Sequence, residues 1–278
     1  MSFGLAPPHA LVNGEPMPPT PLQPRRLIVL SLFVGAFGLR LAGQVTETPQ
    51  TMAPGDFLLK VDAISLGLNP DSPAPNQYRA LGLGWALLSG GITKNVDFEF
   101  GTQVFVQDTY DRALGSNRTH SGVGDFTFRT KWTFWRDSTL DQAAAIIPYV
   151  NLPTHSAVTG NGHTEGGLIL PWSSHMGPGL NAGAMAEIDE LRNAANTRYD
   201  TRLYASGVIQ AEVLGKLSGY AEATLGTSTA GSGSSWGTLN AGATLSASSN
   251  FQWDYEIGRV LGPSARSWVQ TLRFRWKL

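Results

Sequence analysis

Cysteine is absent from the chain, which excludes a disulfide-stapled scaffold and any thiolate metal site. Charge is scarce too. Asp, Glu, Lys and Arg make up 15% of the 278 residues, against roughly 25% in soluble globular domains. What charge there is balances, 20 basic residues against 21 acidic. No basic field remains to hold a phosphate backbone, so nucleic acid is not expected as a partner. Beyond residue 44 no apolar run reaches the ~18 residues that a membrane-spanning helix requires.

What is present points elsewhere. Glycine is high at 32 residues and tryptophan at 8, which suits many strands joined by tight turns. Near the front, Arg25 and Arg26 precede an uncharged apolar run from Leu27 to Leu39, followed by Arg40 and Leu41-Ala42-Gly43-Gln44. A basic pair, about a dozen apolar residues and a small-residue exit are the parts of a secretory signal peptide. Residues 1–43 therefore read as an N-terminal extension and signal peptide, with the mature chain starting near Gln44. Residues 44–278 read as a single domain, an outer-membrane β-barrel.

The barrel reading rests on periodicity. Val96, Phe98, Phe100, Val104 and Val106 share one parity, and Asp97, Glu99 and Gln103 the other. A period of two marks a strand with one apolar and one polar face. Between Asp125 and Trp135, Phe126, Phe128, Trp132 and Phe134 alternate with Thr127, Arg129, Lys131 and Thr133. The same alternation recurs at 202–213, 251–258 and 268–277, and weaker Gly- and Ala-rich strands are readable at 57–67, 78–88, 142–151, 164–172, 179–189, 215–226 and 236–247. The expectation is an all-β protein, a transmembrane antiparallel β-barrel of about twelve strands, with ten to fourteen fitting the same pattern, in a Gram-negative outer membrane. A soluble sandwich shares the alternation with its faces exchanged, rings inward and charges in bulk water, and periodicity does not separate the two. Long polar connectors are expected at one end, at 68–77, 107–122, 152–163, 173–178, 227–235 and 259–266. A further polar loop at 189–201 breaks that partition.

Parity nominates the residues that face the lumen: Asp97, Glu99, Gln103, Arg129 and Lys131 in the first half, then Arg202, Gln210, Glu212, Asp254, Glu256, Arg273 and Arg275. Mixed signs at one depth form interior ion pairs that narrow a pore. Trp85, Trp132, Trp135, Trp172, Trp268 and Trp276 are candidates for aromatic girdles at the membrane interfaces. Catalysis has little to stand on. His155, His163 and His175 occur in polar stretches with Ser156, Ser173 and Ser174, but no G-x-S-x-G elbow exists. Asp137 and Asp141 are isolated acids that read as solvated loop residues rather than a calcium site. No catalytic residue, metal or cofactor is assigned.

The run Gly122-Val123-Gly124-Asp125-Phe126-Thr127-Phe128 resembles the G-x-G-D-hydrophobic strand opening of the outer-membrane transporter family of the meta-pathway of phenol degradation. Pro148-Tyr149-Val150-Asn151-Leu152-Pro153-Thr154 is similar to its P-x-x-x-L-P-T run, and residues 250–256 to its penultimate strand. Pro148 and Pro153 read as bracketing a strand rim, since proline cannot donate a ladder bond. The resemblance implies a medium-sized barrel over roughly residues 55–278 that passes small hydrophobic or aromatic compounds. Expected partners are outer-membrane lipid and lipopolysaccharide, the barrel assembly machinery and a small-molecule solute. The readings left open beside a channel are a non-conducting barrel with adhesive or recognition loops and a loop Ser–His hydrolase.

Overall fold

The computed structural model describes residues 45–68, 78–110, 118–154, 162–193, 197–229, 235–262 and 267–278, with backbone alone at 78–80, 108–110, 118 and 120. The proposed leader and the residues His155 and Ser156 lie outside that set. Thirteen strands follow in chain order: β1 (Phe57–Leu68), β2 (Tyr78–Thr93), β3 (Val96–Tyr110), β4 (Arg118–Gly122), β5 (Phe126–Asp137), β6 (Gln142–Leu152), β7 (Glu165–Gly177), β8 (Leu180–Arg192), β9 (Tyr199–Leu214), β10 (Leu217–Ser228), β11 (Trp236–Ser246), β12 (Phe251–Leu261) and β13 (Trp268–Lys277). Every pairing between them is antiparallel, and β1 pairs with both β2 and β13, which closes the sheet. The short β4 pairs with the far half of β3 and β5 with its near half. The two are halves of one broken wall strand, so the thirteen segments make twelve staves.

Closure pairs both edges of every full-length stave among the described residues, and the short β4 pairs with β3 alone. The faces decide the solvent. Phe98, Phe126, Phe128 and Trp132 are exposed on the outside, Trp132 by 52%, while Asp97, Glu99 and Lys131 between them are buried inside. Phe274 shares the outer face with Trp253, which stands opposite it on β12, and its ring stacks on Phe251. Rings outward and charges inward is the arrangement of a membrane barrel and the reverse of a soluble sandwich.

Several boundaries differ from the sequence expectation, each for a visible reason. Residues 173–178 do not form a long connector. Ser173, Ser174 and His175 continue β7, opposite Gly183, Ala182 and Asn181, and the chain reverses at Pro178-Gly179. The polar loop expected from residue 189 likewise begins later, because β8 runs to Arg192 with Glu187 and Asp189 buried on its inner face. With both corrected, tight turns occupy one end of the barrel and long connections the other, without exception. Pro148 does not mark a rim either. It sits within β6 opposite Leu168, and the β5–β6 ladder lapses beside it, where proline has no N–H to give.

A line of irregularities crosses four neighbouring staves. β1 carries a bulge at Ala63 against β13. Gly84 stands opposite Ala63 with φ +63°, a left-handed conformation that L side chains rarely adopt. The β4–β5 break at 123–125 continues the line beyond β3. Bulges flip the in–out phase and bend the strand. This one turns Trp85 inward with its partners Asp62 and Gln103, so Trp85 lines the lumen and is not a girdle residue.

The outward placement of Ile257 at the middle of β12 yields a test. Ile257→Arg should destabilise the barrel by about 2–4 kcal/mol in equilibrium unfolding from lipid vesicles, the cost of a lipid-facing charge near midplane. A change under about 1 kcal/mol would place this face in water.

Candidate functional site

The inner face collects nearly all the charge of the wall. Asp97, Glu99, Gln103, Lys131, Asp254, Glu256 and Arg273 are buried there, and Arg129, Arg202, Gln210 and Arg275 half-buried. Glu212 departs from the expectation. It is exposed, because its register carries it past the start of β8 to the level of Gly179, whose carbonyl accepts the Glu212 N–H. Sequence reading missed several equally interior groups: Lys60, Asp62, Glu187, Asp189 and Glu222, with Tyr149 and Tyr220.

The interior charges sort into two networks. On β3 and β5, Glu99 takes Arg129 at 2.6 Å and Lys131 at 3.2 Å, with the Ser89 hydroxyl donating to the same carboxylate. Around β12 and β13, Arg273 is paired with Asp62. Tyr220 donates towards Asp254 at 3.2 Å and Glu256 at 2.9 Å. On the facing wall Tyr149 donates to Asp189, and Ile147, Tyr149, Ile169 and Met185 form an apolar patch.

The segment preceding β1 is the feature that no periodicity announced. Residues 45–56 do not join the sheet as a stave; they enter the lumen from the tight-turn end as a strap. Pro54 bridges Gly91, where a β-carbon would fall 2.2 Å from the Ala53 carbonyl oxygen, so only glycine lets the strap pass. Further in, the Met52 N–H reaches the Asp97 carboxylate at 3.0 Å, and Thr133 donates to the Pro49 carbonyl. Glu47 meets Arg129 at 2.8 Å and Lys60 at 3.7 Å. Burial works against the Glu47 carboxylate, yet Arg129, Lys60 and Lys131 outweigh it and hold its pKa well below the ordinary range, so the strap brings a full negative charge. At its first described residues the Val45 and Thr46 N–H groups both donate to Glu222, at 3.0 and 2.7 Å. The Thr46 hydroxyl adds bonds to Glu222 and Ser206, and Val45 packs on the apolar patch. Between strap and wall remains a cavity of ≈100 Å³, bounded by Lys60, Trp85, Leu87, Arg129, Ile169 and Arg275 among others. That is room for several waters or part of a small solute.

Of the serines and histidines singled out earlier, those among the described residues do not assemble. His175 Nδ1 bonds Asn181 at 3.0 Å, the Ser173 hydroxyl accepts from Gln50, and Ser174 accepts from Gln142. His163 lies just before β7 and His175 near its end, so the two are at opposite ends of the barrel. Asp137 accepts the Thr139 and Leu140 N–H groups and so shapes a turn. Among the described residues no group of three or more His, Cys, Asp or Glu is placed to hold a metal.

Residues 46–278 match the family described as "Putative MetA-pathway of phenol degradation". The chain belongs to that family. The match starts at Thr46, so it takes in the strap as well as the barrel. An outer membrane channel from Pseudomonas putida F1 superimposes with a TM-score of 0.65 at 11% identity, covering 82% of this chain and 97% of that one. The β domain of the Bordetella autotransporter BrkA does so at 0.50 and 9% identity, covering 82% and 100%. At these identities the likeness concerns the fold. No curated protein matches the chain.

The two family-like sequence runs prove to be a single structural unit. The Thr154 hydroxyl donates to the Gly124 carbonyl at 2.8 Å, and the Thr154 N–H to Asp125 at 3.2 Å. Gly124 in turn donates its N–H to the Gln103 carbonyl across the β4–β5 break. A β-carbon on Gly124 would come 2.7 Å from that of Gln103. Gly124→Ala should therefore cost about 1–3 kcal/mol by overpacking, read as a lower denaturation midpoint in detergent. An unchanged midpoint would show that the break is looser than described.

Proposed function

We propose that this family member is a passive outer-membrane channel for small solutes, narrowed from within by its own N-terminal strap. The observation that carries the reading is a cavity bounded by Lys60, Arg129 and Arg275 inside a closed wall whose outer face is apolar. A barrel that served only as an anchor has no need of a charged interior, since each interior charge requires a partner. Solutes move by diffusion, with no cofactor and no energy coupling. The loops at the long-connection end face outward from the cell, and the strap enters from the periplasmic end.

Residues 1–43 act as the export leader in this reading, removed near Gln44. The new N-terminus is then delivered directly to the Glu222 cradle. Insertion depends on the barrel assembly machinery, with lipopolysaccharide surrounding the outer rim.

Planar bilayer recording tests the proposal. The full chain should conduct KCl in small steps. Glu222→Ala removes the carboxylate that holds both the Val45 and Thr46 amides, and should raise the conductance severalfold or add larger, flickering substates. Absence of current from both proteins would refute the channel and favour a non-conducting barrel with recognition loops.

A further inference from the structure

The charges lining the lumenal cavity lean positive, Lys60, Arg129, Arg273 and Arg275 against Glu47, Asp62 and Glu187. Lys60 and Arg129 pair with Glu47, and Arg129 also pairs with Glu99, which Lys131 meets from outside the lining. Arg273, one step away, is already matched by Asp62. Arg275 has no ion pair among the described residues, and its Nε is buried without a hydrogen-bond partner. Arg129 likewise has one buried nitrogen, Nη2, without a partner. Lys60 and Arg275 stand directly opposite each other on β1 and β13, a juxtaposition of like charge that is unfavourable unless an anion lies between. Both line the cavity.

The strap shows what this wall accepts. Its Glu47 carboxylate rests against Arg129 and Lys60, a carboxylate on a short stem brought in from outside the sheet. The remaining lining is mixed: Trp85, Leu87, Ile169 and Met185 contribute apolar surface beside Thr127, Asn151 and Glu187. A guanidinium presents paired donors that fit the two oxygens of a carboxylate, and an aromatic and aliphatic floor suits a flat apolar body.

We infer that the cavity is a binding site for small monocarboxylates with an apolar body, such as arene carboxylates. The Arg275–Lys60 pair takes the carboxylate, and Trp85, Leu87 and Ile169 take the body. Glu47 competes for the same cations. This deepens the channel reading and rests on it. Uncharged phenols of the same size gain only the apolar contacts and bind more weakly.

The test records KCl current through the full chain in planar bilayers while benzoate is added, with benzyl alcohol as the uncharged comparison. Benzoate should reduce the current at concentrations where benzyl alcohol does not. Arg275→Gln and Lys60→Gln should each weaken the block about tenfold, the scale of one lost charge-assisted hydrogen bond. Glu47→Gln should strengthen it by freeing Lys60 and Arg129, a change opposite in sign to general damage. Arg198→Gln removes a positive charge whose partner is Asp200, outside the cavity, and should leave the block unchanged. Equal action of benzyl alcohol overturns the site, as does equal weakening by Arg198→Gln or no weakening by either cavity variant. A chain that conducts KCl and ignores benzoate also overturns the site while leaving the channel intact; a chain that conducts nothing removes both.

Discussion

Charge cannot face hydrocarbon at mid-membrane without a cost of about 2–4 kcal/mol per side chain, and most of this architecture follows from that constraint. A closed sheet has two faces, so every charge excluded from the outer one is driven to the inner one. Asp62, Asp97, Glu99, Lys131, Asp254, Glu256 and Arg273 are all buried there. Crowding of that kind is tolerable only where opposite signs meet. Arg273 with Asp62, and Glu99 with Arg129 and Lys131, are the direct solutions.

The strap belongs to the same logic. Its backbone amides satisfy Glu222 and Asp97, two carboxylates that form no ion pair among the described residues. Its Glu47 supplies negative charge to Arg129 and Lys60. Strap and lumen are thus complementary, the strap's amides meeting carboxylates and its carboxylate meeting cations. The residues that narrow the lumen are also those that complete its polar pairing.

The strands were legible because a barrel writes its two solvents into the chain at a period of two. Phe126 to Phe134 and the Phe251 to Ile257 run carry it cleanly, and the stave count followed. Legibility failed where the period is broken or the partner is distant. The Ala63 bulge shifts the phase of β1, which hid Lys60 and Asp62 in a run that otherwise reads as apolar. The kink at Gly84 disguised Trp85 as a girdle residue. Polar side chains near strand ends misled in both directions: Ser173 and Ser174 were read as loop, whereas Glu212, read as lumen, is a rim residue. The strap left almost no local signal. Its hold on Glu222, more than 170 positions away, is visible only once the sheet has closed. The G-x-G-D and L-P-T runs were recognisable as a pattern, but that Thr154 ties them together emerges only from the fold.

Neighbouring residues along one stave face different solvents, and the absence of native cysteine makes that directly measurable. Single cysteines at positions 126, 127 and 128, introduced one at a time and reconstituted in vesicles, can be read with a water-soluble thiol reagent and with a bilayer-confined quencher acting on an attached fluorophore. Position 127, beside the cavity, should react with the aqueous reagent and escape the quencher. Positions 126 and 128, on the outer face, should do the opposite. Uniform behaviour of all three, or the reverse alternation, would contradict it.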